Sequence, residues 1–188
     1  MTNEIVLEKV RLSYVSLWEP RPTLSGAMKY CASVLIPQTD KNALAACKKA
    51  IEEAIDGAVK IGKLSKAQRT IVQSPLRDGT KEYEVEKKDA NYKGYIFFNA
   101  YSDHQPSLVD SQVNRIFNRE EIYSGIIAAV AVTFYFTNKG GEPRVAVSLN
   151  HVLKEADADR MDGRTNVAEA FAKFVTANTE GATGGDLT

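Results

Sequence analysis

The stretch that decides the fold is Asn91–Tyr101, NYKGYIFFNAY, which is rich in aromatic rings. Side chains of a β-strand point alternately to opposite faces, so this stretch as a strand has two different faces. An ordinary core face would hold Tyr92, Ile96, Phe98 and Ala100. The opposite face would hold Lys93, Tyr95, Phe97, Asn99 and Tyr101. Flat rings beside a cation and an amide suit a surface on which bases stack while the cation meets phosphate. A strand buried on both faces is the alternative interpretation.

Size and composition indicate one domain with a real core. The chain has 188 residues, of which 44% are hydrophobic, and we expect a single domain over residues 1–175. Because 24 basic residues balance 24 acidic ones, no overall basic field indicates a nucleic-acid partner. The distribution is uneven, since residues 155–188 hold seven acids and three bases and leave 17 acids and 21 bases in the body. A mildly basic body with an acidic end is an arrangement found in single-strand binders.

The N-terminus and the cysteines favour a cytoplasmic protein. Met1–Lys9 lacks the long apolar run of a signal peptide, and no stretch of the chain approaches 18 apolar residues, so we expect no membrane span. Cys31 and Cys47 have neither metal-type spacing nor a CxxC arrangement. They are expected to be reduced, buried thiols.

Two strands are predicted before residue 40. Residues 5–15 alternate, and the two prolines of Trp18–Pro22 are expected to end this first strand. Lys29–Ile36 is the second strand, closed by Pro37. On the first strand the alternation puts Val6, Val10, Leu12 and Tyr14 opposite Lys9, Arg11 and Ser13.

A helix and a long excursion follow. Asp40 is expected to cap a helix that runs to about Lys60 with an apolar stripe at helical spacing. Residues 63–90 are polar and interrupted by proline and glycine, which predicts one helical turn near Lys66–Val72. The densely charged segment Lys81–Asp89 is expected to be mobile.

The second half after the aromatic strand predicts two more strands and a short helix. Ile122–Thr137 is a long apolar strand with a natural bulge position at Gly125, and Arg144–Leu153 is its antiparallel partner. Asn166 with Glu169 resembles a capping pair for a last helix. Residues 176–188 are rich in Gly, Thr and Ala and are expected to be disordered.

These elements predict a mainly β fold with an inserted α-helix. Five strands with long loops favour a small, partly open barrel of the oligonucleotide-binding type, the OB-fold. A β-sandwich with a helix is the alternative.

Residues suited to catalysis or metal binding are sparse. His104 and His151 are far apart and have no partner at metal spacing. Asp157, Asp159 and Asp162 resemble a calcium loop only weakly, because the bidentate Glu at the twelfth loop position is missing. We therefore expect no enzyme, no cofactor and no metal, and a nuclease built on these acids is the minor alternative.

The remaining polar and aromatic residues indicate a binding surface rather than a catalytic site. If the polar faces of neighbouring strands lie side by side, they form a cationic trough with rings, in which stacking contributes about 1–3 kcal/mol per base. Trp18 would be either a stacking platform for a base or a plug at the end of the barrel. Tyr135 would join either the trough or the core. Arg77 would either clamp a DNA backbone or stabilise its own turn. The candidate residues are Lys9, Arg11, Trp18, Lys29, Arg77, Lys93, Tyr95, Phe97, Asn99, Tyr101, Tyr135 and Arg144.

Several short segments, taken in order, resemble a known family. They are Arg11–Tyr14 followed by Trp18–Pro20, Lys29–Pro37, Pro75–Gly79, Tyr92–Tyr95, Tyr123–Gly125, Ser148–Asn150 and Asp162–Arg164. Over about residues 5–175 the set resembles tailed-phage and prophage proteins first catalogued as a domain of unknown function. A member of that family is recognised as an OB-fold single-stranded DNA-binding protein.

The resemblance implies a protein that coats single-stranded DNA with little sequence preference during phage replication or recombination. It implies no catalysis and no metal. Phage or host replication and recombination proteins are possible partners, and so is a second copy of the chain. Many single-strand binders end in an acidic, aromatic tail that recruits partners, whereas this chain ends Gly184–Thr188. The acidic stretch Glu155–Asp162 would have to recruit partners in place of such a tail. A non-enzymatic structural or protein-interaction module of a phage is the alternative function.

Overall fold

The computed structural model describes residues 3–165 and 167–175, so the expected cap at Asn166 and the expected disorder of 176–188 lie outside the described residues. Short 3₁₀ turns lie at Lys66–Ile71, Ala90–Tyr92 and Arg119–Glu121. The helices and strands are, in order, β1 (Glu4–Pro22), β2 (Met28–Pro37), α1 (Lys41–Lys60), β3 (Arg77–Asp78), α2 (Gly79–Glu86), β4 (Tyr95–Ser102), β5 (Ser107–Val109), β6 (Ile127–Thr137), β7 (Arg144–Ala156) and α3 (Val167–Ala170).

Five of the strands close into a barrel. β1 pairs antiparallel with β2 and β6, β2 pairs with β4, and β6 pairs with β7. A parallel bridge between Tyr101 of β4 and Ser148 of β7 completes the ring. The short strands β3 and β5 are added outside it, on β4 and β7 respectively. The predicted mainly β, five-stranded, OB-type fold is confirmed, and the ring is closed.

The core fills the barrel and continues under α1. Phe98 of β4 and Phe134 of β6 are buried at its centre, with their ring centroids 5.4 Å apart at an angle of 62°. The buried stripe of α1, which includes Cys47, Ile51 and Ile55, packs chiefly against β6. Burial in this apolar layer raises the pKa of the Cys47 thiol to about 12. α1 therefore caps the barrel with its apolar face.

Asp40 caps α1 as the sequence predicts. Its carboxylate accepts a hydrogen bond of 3.0 Å from the backbone N–H of Ala43, which has no partner within the helix. We expect Asp40→Ala to lower the free energy of unfolding by about 1 kcal/mol. Urea unfolding followed by circular dichroism measures the loss. An unchanged midpoint and slope would show that the cap contributes nothing to stability.

Several elements differ from the sequence-based expectation. β6 begins at Ile127 rather than at Ile122, and Gly125, with a φ of 122°, lies before the strand instead of in a bulge within it. β1 continues through Trp18 to Pro22, because register shifts after Ser13 and Ser16 accommodate the prolines in the pairing with β2. Pro22 pairs only at the end of the hairpin, opposite Met28. Lys81 lies in the helix α2 rather than in a mobile segment. β4 begins only at Tyr95, since the positive φ of Gly94 (83°) breaks the extended backbone before it.

No helix of the described part of the chain is long and apolar enough to cross a membrane.

Candidate nucleic-acid interface

Strand register brings the polar faces of β1, β2 and β4 together. Ser13 lies opposite Ser33, and Ser33 lies opposite Asn99. One step along β4, Tyr101 lies between Cys31 of β2 and Ser148 of β7. The trough expected from strand alternation therefore has a structural counterpart on the outer face of the barrel.

A cavity of about 440 Å³ opens on this face and is called the groove below. Its floor comes from the barrel, and one wall comes from β3, α2 and the segment after α2. The residues that line it are Tyr14, Arg21, Cys31, Ala32, Ser33, Arg77, Gly79, Glu82, Lys88, Asp89, Tyr92, Phe97, Asn99 and Tyr101. Four rings and three cations thus meet in one concave site.

Two rings of the groove form its buried floor. Phe97 is 4% exposed, and the Tyr92 ring meets it edge-on at 4.7 Å. The Arg77 guanidinium lies over the Phe97 ring, 4.8 Å from its centroid. Phe97 is therefore not the open stacking ring that alternation suggests. Tyr92 was assigned to the core face and instead packs with Phe97, because the turn at Gly94 ends the alternation.

Two other rings are exposed at the rim. Tyr101 is 40% exposed and Tyr14 is 53% exposed. The Tyr14 ring lies 6.2 Å from the Tyr92 ring, and its hydroxyl donates a hydrogen bond of 3.1 Å to Asp89. Burial and, next, this hydrogen bond raise the pKa of Tyr14. The rim therefore offers aromatic faces to a ligand above a closed aromatic floor.

The wall is held close to the floor by Gly79, the first residue of α2. A Cβ at this position would stand 2.8 Å from the carbonyl carbon of Tyr92 and closer still to the carbonyl oxygen. Thr80 accepts a hydrogen bond of 2.8 Å from the backbone N–H of Gly94, and Asp78 caps the helix. Only glycine permits this approach, so the sequence fixes the width of the groove here.

Polar groups on the floor are partly paired with each other. The Ser33 hydroxyl donates a 2.6 Å hydrogen bond to the side-chain oxygen of Asn99. The Tyr92 hydroxyl is buried and has no hydrogen-bond partner among the described residues, and this burial raises its pKa. The Ser13 and Ser33 hydroxyls lie near enough to lower that pKa in turn, but neither is in hydrogen-bonding geometry with Tyr92.

Comparisons with known proteins identify the family. The model of a family described as the single-stranded DNA-binding protein of Enterobacter phage Enc34 matches residues 3–183. The chain belongs to this family. The resemblance predicted from the sequence is thereby confirmed. A putative protein, p50, of Acyrthosiphon pisum secondary endosymbiont phage 1 is 29% identical over 167 residues, which cover 85% of this chain and 87% of that protein.

Two solved structures share the fold of this member of the Enc34 family. The Enc34 single-stranded DNA-binding protein in complex with single-stranded DNA has a TM-score of 0.65 at 23% identity, covering 84% of this chain and 89% of that chain. Bacteriophage T7 gp2.5, a single-stranded DNA-binding protein, has a TM-score of 0.58 at 16% identity and full coverage of both chains.

Of the predicted site residues, Arg77, Phe97, Asn99 and Tyr101 line the groove. Arg77 lies in a two-residue strand rather than a turn, because β3 pairs with β4 opposite Phe97. Tyr95 is half-buried against the cluster of Leu35, Tyr92 and Phe97 beneath the groove.

Two predicted cations on β1, Arg11 and Lys9, do not line the groove. Arg11 donates hydrogen bonds to the carbonyl oxygens of Gly125 (3.0 Å) and Asp159 (2.7 Å), and it therefore ties β1 to the segment after β7. Lys9 is an exposed bulge residue with a φ of 53°, and its backbone N–H donates to Glu155. A register shift between Leu7 and Val10 moves it out of the alternation.

The ammonium groups of two predicted lysines interact with neighbouring side chains. Lys29 forms a 2.6 Å ion pair with Asp103. The Lys93 ammonium lies over the Tyr83 ring, 4.7 Å from its centroid. Neither is among the residues that line the groove.

The other predicted residues are farther along the barrel. The Trp18 indole N–H donates to the carbonyl of Arg119, and the ring packs against the core beside a second cavity, which agrees with the plug alternative. Tyr135 is 45% exposed opposite Ala146 on the β6–β7 hairpin, so it is not a core residue. Arg144 is exposed and donates to the Lys139 carbonyl.

The sequence reasoning missed Tyr14, Arg21 and Lys88. Tyr14 was assigned to the apolar face of the first strand, but a φ of 47° rotates it outward into the groove. Arg21 donates to the Tyr14 carbonyl and the Cys31 sulfur, and it lies between the two prolines that are expected to end the first strand. Lys88 lies in the segment expected to be mobile. The Asp78-Gly79 pair is typical of a helix start, and it is the sequence signal that could have predicted the helix in the groove wall.

Two acidic residues after β7, Asp157 and Asp162, pair with neighbouring cations. Lys154 and Tyr123 donate to Asp157, and the hydrogen bond from Lys154 is the main cause of its lowered pKa. Arg160 pairs with Asp162 at 2.9 Å and likewise lowers its pKa. In the described part of the chain, no three potential metal ligands converge.

Proposed function

We propose that this protein binds single-stranded DNA in the groove and coats it, largely without sequence preference, during phage DNA replication or recombination. The observation that carries the proposal is the pairing of exposed rings with a cation over one concave site. Tyr14 and Tyr101 are exposed, and both line the groove together with Arg77, which is hydrogen-bonded to Glu82 of α2. Every base has a π-face, so stacking on these rings accepts any sequence.

Phosphate contacts supply the second part of the binding energy. Arg77 is a planar donor with a side chain 40% exposed, which allows it to reach a backbone phosphate at the groove mouth. Neutralising phosphates releases counterions, so the affinity falls as salt rises. The proposal includes no catalytic step, and it places the protein in the cytoplasm of the host cell, with residues 1–175 acting as one binding domain.

The deciding experiment is a titration of the full chain with single-stranded and duplex oligonucleotides of equal length at two ionic strengths. We expect oligo-dT to quench the fluorescence of the groove tyrosines, with weaker affinity at the higher salt concentration. An oligomer of defined size that ignores both oligonucleotides would instead identify a structural module. Loss of labelled DNA that depends on magnesium would identify a nuclease.

Arg77→Gln tests the phosphate contact. We expect weaker binding to oligo-dT and a plot of log K against log salt that is shallower by about 0.7, the value for one lost phosphate contact on a single strand. Lys49→Gln is the matched control, since it removes the same charge from an exposed position on α1. Equal slopes for the two variants would mean that Arg77 contacts no phosphate.

A further inference from the structure

A carboxylate already occupies the best anion-binding position of the groove. Glu82 of α2 accepts two hydrogen bonds from Arg77, of 2.6 Å from Nε and 2.9 Å from Nη2. The Lys88 ammonium lies 3.7 Å from the second of these carboxylate oxygens and also pairs with Glu86 at 2.6 Å. The Glu82 side chain is only 19% exposed, whereas the Arg77 side chain is 40% exposed.

This arrangement has the geometry of phosphate recognition. A guanidinium binds a carboxylate and a phosphate through the same pair of parallel N–H donors, so the two anions compete for one position. The third cation of the groove, Arg21, already donates to the Tyr14 carbonyl and the Cys31 sulfur. A phosphate entering the groove therefore meets an Arg77 whose parallel Nε and Nη2 donors are engaged by Glu82, with the charge of that carboxylate beside it.

We propose that Glu82 holds a phosphate site of the groove, formed by Arg77 and Lys88, and that a DNA backbone phosphate displaces it on binding. This inference rests on the proposed function and adds to it a carboxylate of the protein that competes with DNA phosphate for Arg77. The exchange requires rotation of one side chain and no movement of α2, whose first turn is held by Gly79 against Tyr92 and by Thr80 at Gly94. The carboxylate then weakens binding without blocking it.

Glu82→Gln tests this exchange, with Glu84→Gln as the matched control. Glu84 lies two residues away on α2, is exposed, and forms no ion pair within the described residues, so both variants remove one negative charge from one helix. We expect Glu82→Gln to bind oligo-dT about three- to tenfold more tightly than Glu84→Gln at low salt, the gain from releasing one partly exposed ion pair. In an Arg77→Gln background the difference between the two variants should shrink, because only Lys88 then remains beside Glu82.

The outcomes separate this inference from the proposed function. If the wild-type chain does not bind oligo-dT, the proposed function fails. If the wild-type chain binds and the two Gln variants bind equally, or if the gain is undiminished without Arg77, the competitor role is wrong. Circular dichroism checks folding of each variant. Should Glu82→Gln not fold, Glu82→Asp replaces it, since the charge remains but the shorter side chain loses the two-point contact. Affinity unchanged from wild type would then overturn the inference.

Discussion

Replacing Tyr101 by alanine is expected to weaken binding to oligo-dT by about 5- to 150-fold. The reason is that stacking of one base on one ring contributes about 1–3 kcal/mol, and each 1.4 kcal/mol changes the affinity tenfold. Tyr101 is the ring of β4 that is both exposed and in the groove, whereas Phe97 is buried beneath Arg77. Fluorescence anisotropy of a labelled oligonucleotide at fixed salt measures the change.

Tyr101→Phe is the matched control, because it keeps the ring and removes only the hydroxyl. It should bind within about twofold of wild type if stacking is the main contribution. Thermal unfolding separates binding from stability, since a 40% exposed side chain on the barrel surface is not part of the core. If Tyr101→Ala and Tyr101→Phe both bind as wild type while the wild-type chain binds DNA, the DNA does not stack on β4.

Strand periodicity predicts the barrel and part of the groove. Alternation correctly assigns Phe98 to the core and puts Asn99 and Tyr101 on the opposite face, because side-chain direction has a fixed period of two wherever the backbone stays extended. It fails wherever the backbone departs from that geometry. Tyr14 and Lys9 have positive φ, and Gly94 ends the extended backbone before Tyr92. These three departures account for the missed rim residue, the displaced cation and the misassigned floor ring.

The wall of the groove could not be derived from local pattern. The α2 sequence has a weak apolar stripe, and Gly79 is its only buried residue. Its position depends on contacts distant in sequence, those of Gly79 with Tyr92 and of Thr80 with Gly94. Arg11 illustrates the same limit, because its two backbone acceptors lie 114 and 148 residues away along the chain. Strand alternation alone predicts Arg11 to be a DNA-binding cation of the trough.

Gly125→Ala is expected to lower the free energy of unfolding by about 2–6 kcal/mol. The φ of Gly125 is 122°, which a residue with a side chain rarely adopts, and such strain costs about 1–3 kcal/mol. An added Cβ would also stand 3.1 Å from the Cα of Arg160 and closer to the Asp159 carbonyl oxygen, and overpacking of this kind costs about 1–3 kcal/mol more. Urea unfolding measures the loss.

The same substitution should also loosen the groove floor. The segment that the new methyl group would displace contributes Met161, which packs against Leu35 and Phe97 and donates its backbone N–H to the Ser124 carbonyl. Pushing this segment outward breaks the hydrogen bond from Arg11 to Asp159 and removes support from below Phe97. Weaker oligo-dT binding is therefore expected together with the loss of stability.

Gly141→Ala separates the two causes. Gly141 has a φ of 83° in the β6–β7 turn, and no atom lies within 4 Å of the position of an added Cβ. Only the strain of about 1–2 kcal/mol is expected there, with DNA binding unchanged. Equal losses of stability for the two variants would mean that the close approach of Gly125 to Asp159 does not constrain the fold. A larger loss for Gly125→Ala, accompanied by weaker binding, would connect the segment after β7 to the groove.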